Sequence, residues 1–204
     1  MDIVKGFPST MQDDYQLNLI NLIKHGVRNF DKQEIACKVG DSMFRHTYAD
    51  AYGRMMRFAN ALKGLGIGIG DRIGVMDWNS YRNYEMYFAI PGTGSVMLLM
   101  NLRLAPTDLS YVVNHAETKL VVVDETLLPL VEAAAPQFKT VQGYVVFTDK
   151  NIKDIETKLS PLYSYEDLLK EADAEYEWPH MDEKAACAAC YTTGTTGRPK
   201  GVYY

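Results

Sequence analysis

The chain has 204 residues, 47% hydrophobic and 23% charged, and a net charge of −5. This is the balance of an ordinary globular domain with enough chain for a proper core, and the acidic excess argues against a nucleic-acid partner, which needs a basic stripe. Three cysteines are too few for a disulfide scaffold, MDIVKGFPST lacks the apolar run of a signal peptide, and the longest apolar stretch, Ser95 to Met100, is too short for a transmembrane segment; a cytoplasmic protein is expected.

Asn18–Phe30 sets Leu19, Leu22, Ile23, Val27 and Phe30 at helical spacing. Ile35, Cys37 and Val39 alternate ahead of a Gly40-Asp41 turn into Ser42–Arg45, which predicts a hairpin. Thr47 can cap the next helix, with Tyr48, Tyr52, Met55, Ala59 and Leu62 on one face and Asp50, Arg54 and Arg57 opposite. After Gly70, strands and helices alternate. Strands are expected at Asp71–Met76, Ser95–Met100, Leu120–Asp124 and Gln142–Phe147, and helices at Ser80–Ile90, Pro106–His115 and Glu125–Ala134.

Such alternation with short links predicts right-handed crossovers and a mainly parallel sheet covered by helices. Residues 148–183 are polar and acidic and read as a solvated connector with one short helix after Ser164. Ala185–Tyr191 and Val202–Tyr204 are strand-like pieces on either side of a loop. The expected fold is α/β: a mainly parallel sheet flanked by helices, with an N-terminal β-hairpin and a C-terminal strand-loop-strand. Residues 1–147 would form one subdomain, 148–184 an acidic connector, and 185–204 the start of a further subdomain.

Three features invite functional readings that their spacing does not support. GLGIGIG at 64–70 has Ile69 and Asp71 where G-x-G-x-x-G needs glycine, and it follows a helix rather than a strand. It reads as a helix end and a turn. Cys187 and Cys190 lack further ligands at metal spacing, and residues three apart on a strand point to opposite faces. His115 closes a predicted helix, where its charge suits the helix dipole, and the sequence offers it no catalytic partner.

The loop is different. YTTGTTGRPKGV at 191–202 offers hydroxyls at Thr192, Thr193, Thr195 and Thr196, bare backbone amides at Gly194 and Gly197, and an ammonium at Lys200. Together these neutralise spread negative charge, as a polyphosphate requires. It is not a Walker A loop, because Pro199 precedes Lys200, Gly201 follows it, and Val-Tyr-Tyr continues as a strand rather than a helix.

The stretch resembles the phosphate-binding signature of the adenylate-forming superfamily, with Thr193 where serine is usual. TYADAYGRMMRFANALKGLGIGIGDRIGV, WNSYRNYEMYFAIPGTGSV, NLRLAPTDLSYVVNHAETKLVVVD and YEDLL, in that order, are similar to its medium- and long-chain fatty-acyl-CoA synthetase branch. Leu102 departs from the branch's usual proline.

The resemblance implies a two-step ligase. A carboxylate attacks the α-phosphate of Mg·ATP to give acyl-adenylate and pyrophosphate, and the thiol of CoA then displaces AMP. It implies that Thr192, Thr193, Gly194, Thr195, Thr196, Gly197 and Lys200 cradle the β- and γ-phosphates, and that Thr192 helps to hold Mg2+. The expected partners are a fatty acid, ATP and CoA, and a homodimer is left open. The superfamily's downstream Tyr-Gly-x-Thr-Glu segment, ribose-binding aspartate and mobile domain with its catalytic lysine are not in this sequence. No catalytic residue is therefore assignable, and the chain reads as an N-terminal piece, inactive alone. The alternatives are a ligase for aryl or amino acids, or a non-catalytic nucleotide- or partner-binding module.

Overall fold

The computed structural model describes residues 6, 7, 10, 15–192 and 197–204. Helix α1, Leu19–Phe30, starts at Asn18, whose side chain accepts the Asn21 N–H. It buries Ile20 and Ile23 and leaves Leu22 and Phe30 exposed, so its buried stripe is narrower than the expected face. Strands β1 (Glu34–Val39) and β2 (Ser42–Thr47) form the expected antiparallel hairpin. Helix α2, Tyr48–Gly64, begins with a full capping box: Thr47 Oγ1 accepts the Asp50 N–H at 3.1 Å, and Asp50 accepts the Thr47 N–H at 2.9 Å.

Seven strands make one sheet: β3 (Arg72–Met76), β4 (Val96–Leu99), β5 (Thr118–Asp124), β6 (Gly143–Phe147), β7 (Leu162–Ser164), β8 (Ala188–Thr192) and β9 (Lys200–Tyr203). Their order is β7-β6-β5-β3-β4-β8-β9, and every neighbouring pair is parallel except β8 with β9. Helices α3 (Tyr81–Gly92), α4 (Pro106–His115) and α5 (Leu128–Ala134, after a 3-10 turn at Glu125–Leu127) make the crossovers. β4 lies on one side of β3 and β5 on the other, so α4 carries the chain across β3.

Apolar residues fill both faces, which is why the central strands read as unbroken hydrophobic runs. Val122 and Val145 pack with Met55, Phe58, Met86 and Ile90 from α2 and α3. Val121, Val123 and Val146 pack with Leu109, Val112, Val113 and Val131 from α4 and α5. Leu102 joins the second cluster, so the residue that replaces proline has a packing role.

The acidic stretch departs most from expectation, because it is part of the body of the fold rather than a solvated connector. It contributes β7 and then helix α6 (Tyr165–Glu171), capped by Ser164. Tyr165, Leu159, Leu169 and Trp178 are buried. The Trp178 indole lies so close to Gly92 that an added Cβ there would be 2.5 Å from the ring, and its N–H donates to the Tyr52 hydroxyl at 2.9 Å. Large apolar residues set singly among acids anchor the segment without giving it a periodic signature.

On the polar face of α2, Asp50 is exposed but Arg54 is half-buried in a charged network. Arg54 donates to Glu85 at 2.6 Å and, with both terminal nitrogens, to Glu166 at 2.9 and 3.0 Å; Arg82 donates to Glu166 at 2.8 Å, and the Tyr165 hydroxyl to Glu85 at 2.6 Å. Burial pushes Glu85 up to about 7 against the pull of Arg54 and Tyr165. Glu166 is half-buried, which would raise it, but Arg54 and Arg82 outweigh that and hold it below the usual carboxylate value. His46 sits 3.9 Å from Glu85, its pKa lowered by burial and by Arg54. This network ties α2, α3 and α6 together.

Candidate functional site: a hairpin loop at the carboxyl edge of the sheet

Because β8 runs parallel to β4, the stretch after it leaves from the carboxyl edge of the sheet, where open α/β sheets present their ligand sites. The expected strand-loop-strand geometry is found. β8 and β9 pair antiparallel with Thr192 opposite Lys200, Tyr191 opposite Gly201, Cys190 opposite Val202 and Ala189 opposite Tyr203. The strand bounds shift from Ala185–Tyr191 and Val202–Tyr204, because the ladder to β4 starts only where Ala188 meets Met97, and the hairpin stays paired up to its mouth.

Of the sequence-derived phosphate residues, Thr192 and Lys200 are thus brought face to face as the last ladder pair, both exposed. Gly197 is exposed at φ 134°, a backbone region that glycine enters freely, with open space around it. Thr193, Gly194, Thr195 and Thr196 lie outside the described residues. Pro199 is buried beside these exposed neighbours.

Four residues that the sequence did not single out for this loop fasten its ends. The Tyr191 ring covers Gly201, where an added Cβ would lie 2.7 Å from the ring. Its hydroxyl reaches His115 Nδ1 at 2.8 Å, giving His115 a partner 76 positions away. Burial, reinforced by neighbouring Tyr203, pushes the Tyr191 phenol up, so the hydroxyl keeps its proton. On the far side of the loop the Arg198 guanidinium stands over the Tyr111 ring at 5.1 Å. Tyr111 and His115 are one turn apart on α4, with ring centroids 5.3 Å apart. The available sequence signal was that i, i+4 aromatic pair at a helix end.

The glycine-rich stretch falls as its spacing suggests. In GLGIGIG, the Leu65 N–H closes on Ala61 and the Ile67 N–H on Leu62, while Gly66 and Gly70 take positive φ, a helix stop and a turn. Cys187 precedes β8 and Cys190 lies within it; both are free thiols. An apolar groove of about 320 Å³, lined by Leu17, Ile20, Pro91, Met181, Cys187 and Tyr204, opens at the other end of the hairpin from the loop.

Comparison with known proteins settles the lineage. A family model described as AMP-binding enzyme matches residues 24–204. The chain belongs to that family. A long-chain-fatty-acid–CoA ligase of Thermus thermophilus is 40% identical over 202 residues, covering 98% of this chain and 35% of that one. A medium-chain-fatty-acid–CoA ligase of Ectopseudomonas oleovorans is 34% identical, covering 93% and 35%. The solved structure of the anthranilate CoA ligase AuaEII in complex with anthranoyl-AMP superposes with a TM-score of 0.81 at 21% identity, over 93% of this chain and 35% of that one, and shows the same fold. The chain thus spans about 35% of the length of the relatives it matches. Among the described residues no helix is long and apolar enough to cross a membrane.

Proposed function

We propose that this chain is the N-terminal part of an ATP-dependent fatty-acid–CoA ligase, a cytoplasmic enzyme, and that its hairpin loop holds the β- and γ-phosphates of ATP. One observation carries the reading: the register of β8 and β9 sets Thr192 and Lys200 opposite each other at the mouth of a Thr/Gly-rich loop, at the carboxyl edge of a parallel sheet. Of four relatives that match more than nine-tenths of the chain, two are named as fatty-acid–CoA ligases and two as 3-methylmercaptopropionyl-CoA ligases, which favours an aliphatic acid, and a fatty acid among them, as the carboxylate.

In the first step the substrate carboxylate attacks the α-phosphorus. A new acyl–O–P bond forms, the bond between the α-phosphorus and the bridging oxygen breaks, and pyrophosphate leaves with the added charge. Hydroxyls of Thr192, Thr193, Thr195 and Thr196, amides of Gly194 and Gly197, and Lys200 would hold that charge without reorganising as it develops. Magnesium bound with ATP would screen the phosphates. The Thr192 hydroxyl, exposed at the loop mouth, would help to hold it there. In the second step the CoA thiol attacks the acyl carbon and AMP leaves; nothing in this chain is assigned to that step.

We also propose that residues 185–204 open a further subdomain, since β9 is an edge strand with Val202 and Tyr203 exposed and Tyr204, just past it, exposed as well. The test is acyl-CoA formation by a ligase of the relatives' full length that carries this chain, with ATP, CoA and a panel of aliphatic, aryl and amino acids. Turnover led by medium- or long-chain fatty acids is expected. Turnover of aryl or amino acids alone would replace the substrate, and no ATP-dependent turnover with any acid would remove the reading.

A further inference from the structure

The geometry points to the carboxyl-terminal half of α4 as the post that sets the bite of the phosphate loop, with Tyr191, His115, Tyr111 and Arg198 acting as positioning residues for adenylation. The inference rests on the phosphate-loop reading above and deepens it.

The loop is tied to the same helix on both sides by different chemistry, at Tyr191 within β8 and at Arg198, two residues ahead of β9. Upstream, the Tyr191 hydroxyl meets His115 Nδ1 at 2.8 Å, with the two rings edge to face at 5.7 Å. Downstream, Arg198 stands over Tyr111 at 5.1 Å. Tyr111 and His115 occupy one stripe of α4, and α4 is itself seated on the sheet through Leu109, Val112 and Val113, all buried. Tyr191 cannot swing toward the loop without uncovering Gly201, its ladder partner.

Sheet hydrogen bonds alone would fix Thr192 against Lys200, but a two-strand ribbon at a sheet edge twists easily. Tying β8 at Tyr191 and the approach to β9 at Arg198 to one rigid helix removes that freedom. Donors held in place before charge develops are the ones that lower a barrier, and a misplacement near 1 Å can cost about 10²-fold in rate. The contribution is therefore to adenylation. Transfer of the acyl group from a ready-made acyl-adenylate to CoA takes place after pyrophosphate has gone and makes no use of the hold.

The experiment compares Tyr191→Phe, which keeps the ring on Gly201 and removes only the hydroxyl, with His115→Ala, His115→Gln and Arg198→Ala in the full-length ligase. Lys200→Ala and Thr196→Ala serve as the references for the loop. Two rates are read: fatty-acid-dependent ATP–pyrophosphate exchange, and thioester formation from supplied acyl-adenylate and CoA. Exchange is expected to fall about tenfold in Tyr191→Phe, His115→Ala and Arg198→Ala, with partial recovery in His115→Gln and thioester formation unchanged. Unchanged exchange in Tyr191→Phe and His115→Ala, beside a fall in Lys200→Ala, would overturn the positioning role and leave the loop reading standing. Both rates falling together would reduce the contacts to general stability and overturn it as well. Wild-type exchange in both Lys200→Ala and Thr196→Ala would remove the loop reading itself.

Discussion

The Tyr191 ring lies across Gly201, its in-register neighbour on β9, so that a Cβ added at Gly201 would come within 2.7 Å of the ring. Gly201→Ala is therefore expected to displace Tyr191 and to destabilise the chain by about 1–3 kcal/mol, the usual cost of overpacking. Urea denaturation measures it. The double variant Gly201→Ala with Tyr191→Leu should recover much of the loss, because the smaller side chain vacates the space; additive losses would show that the ring is not the obstacle.

The two carboxylates on Arg54 should titrate with opposite signs. Glu85 is raised from 4.5 to about 7 by burial, so its contribution is full below 4.5 and is lost as pH rises through about 7. Glu166 is lowered by Arg54 and Arg82 despite its burial, so its contribution is full above 4.5 and is lost as pH falls through its depressed value. Denaturant stability across pH should show the deficit of Glu85→Gln relative to wild type shrinking between 4.5 and 7. That of Glu166→Gln should shrink as pH falls below 4.5. Parallel curves for both variants would contradict the assignment.

Helix α2 should depend on its cap. Thr47→Ala removes the acceptor for the Asp50 N–H and the hydroxyl that, with the Thr47 N–H, holds the Asp50 carboxylate below its usual pKa. A loss of about 1 kcal/mol is expected in chemical denaturation, with Thr47→Ser near wild type. A silent Thr47→Ala would mean that packing alone starts the helix.

What the sequence made legible follows from how local each signal is. Helix α4 is found at its expected bounds, Pro106–His115, because Pro106 fits the first helical position and a positive-φ residue, Glu117, follows its end. The hairpin β1–β2 and the Thr47 cap were readable for the same reason. Strand β7 was not, being three residues, Leu162–Ser164, whose extended form is fixed by pairing with Tyr144–Val146 of β6. Arg54 read only as part of the polar face of α2, because its partners Glu85 and Glu166 lie 31 and 112 positions away. In the loop, residue types gave the chemistry directly, but the tie from Tyr191 to His115 exists only because the β4–β5 crossover lays α4 beside the hairpin.

The 204-residue chain by itself is expected to give no fatty-acid-dependent ATP–pyrophosphate exchange, since it spans about 35% of the length of its relatives and supplies one wall of the proposed nucleotide site. Exchange above blank with any fatty acid would show that the site is complete within these residues.

The most direct test of the phosphate loop is the rate of fatty-acid-dependent ATP–pyrophosphate exchange in the full-length ligase with Lys200→Ala and with Thr196→Ala. Each change removes one donor from the proposed cradle, and losing one such donor costs up to ~10²–10³ in rate. A fall of that order, with the KM for fatty acid unchanged, is the predicted result. Wild-type exchange in both variants would contradict it, and the loop would then have no part in holding ATP.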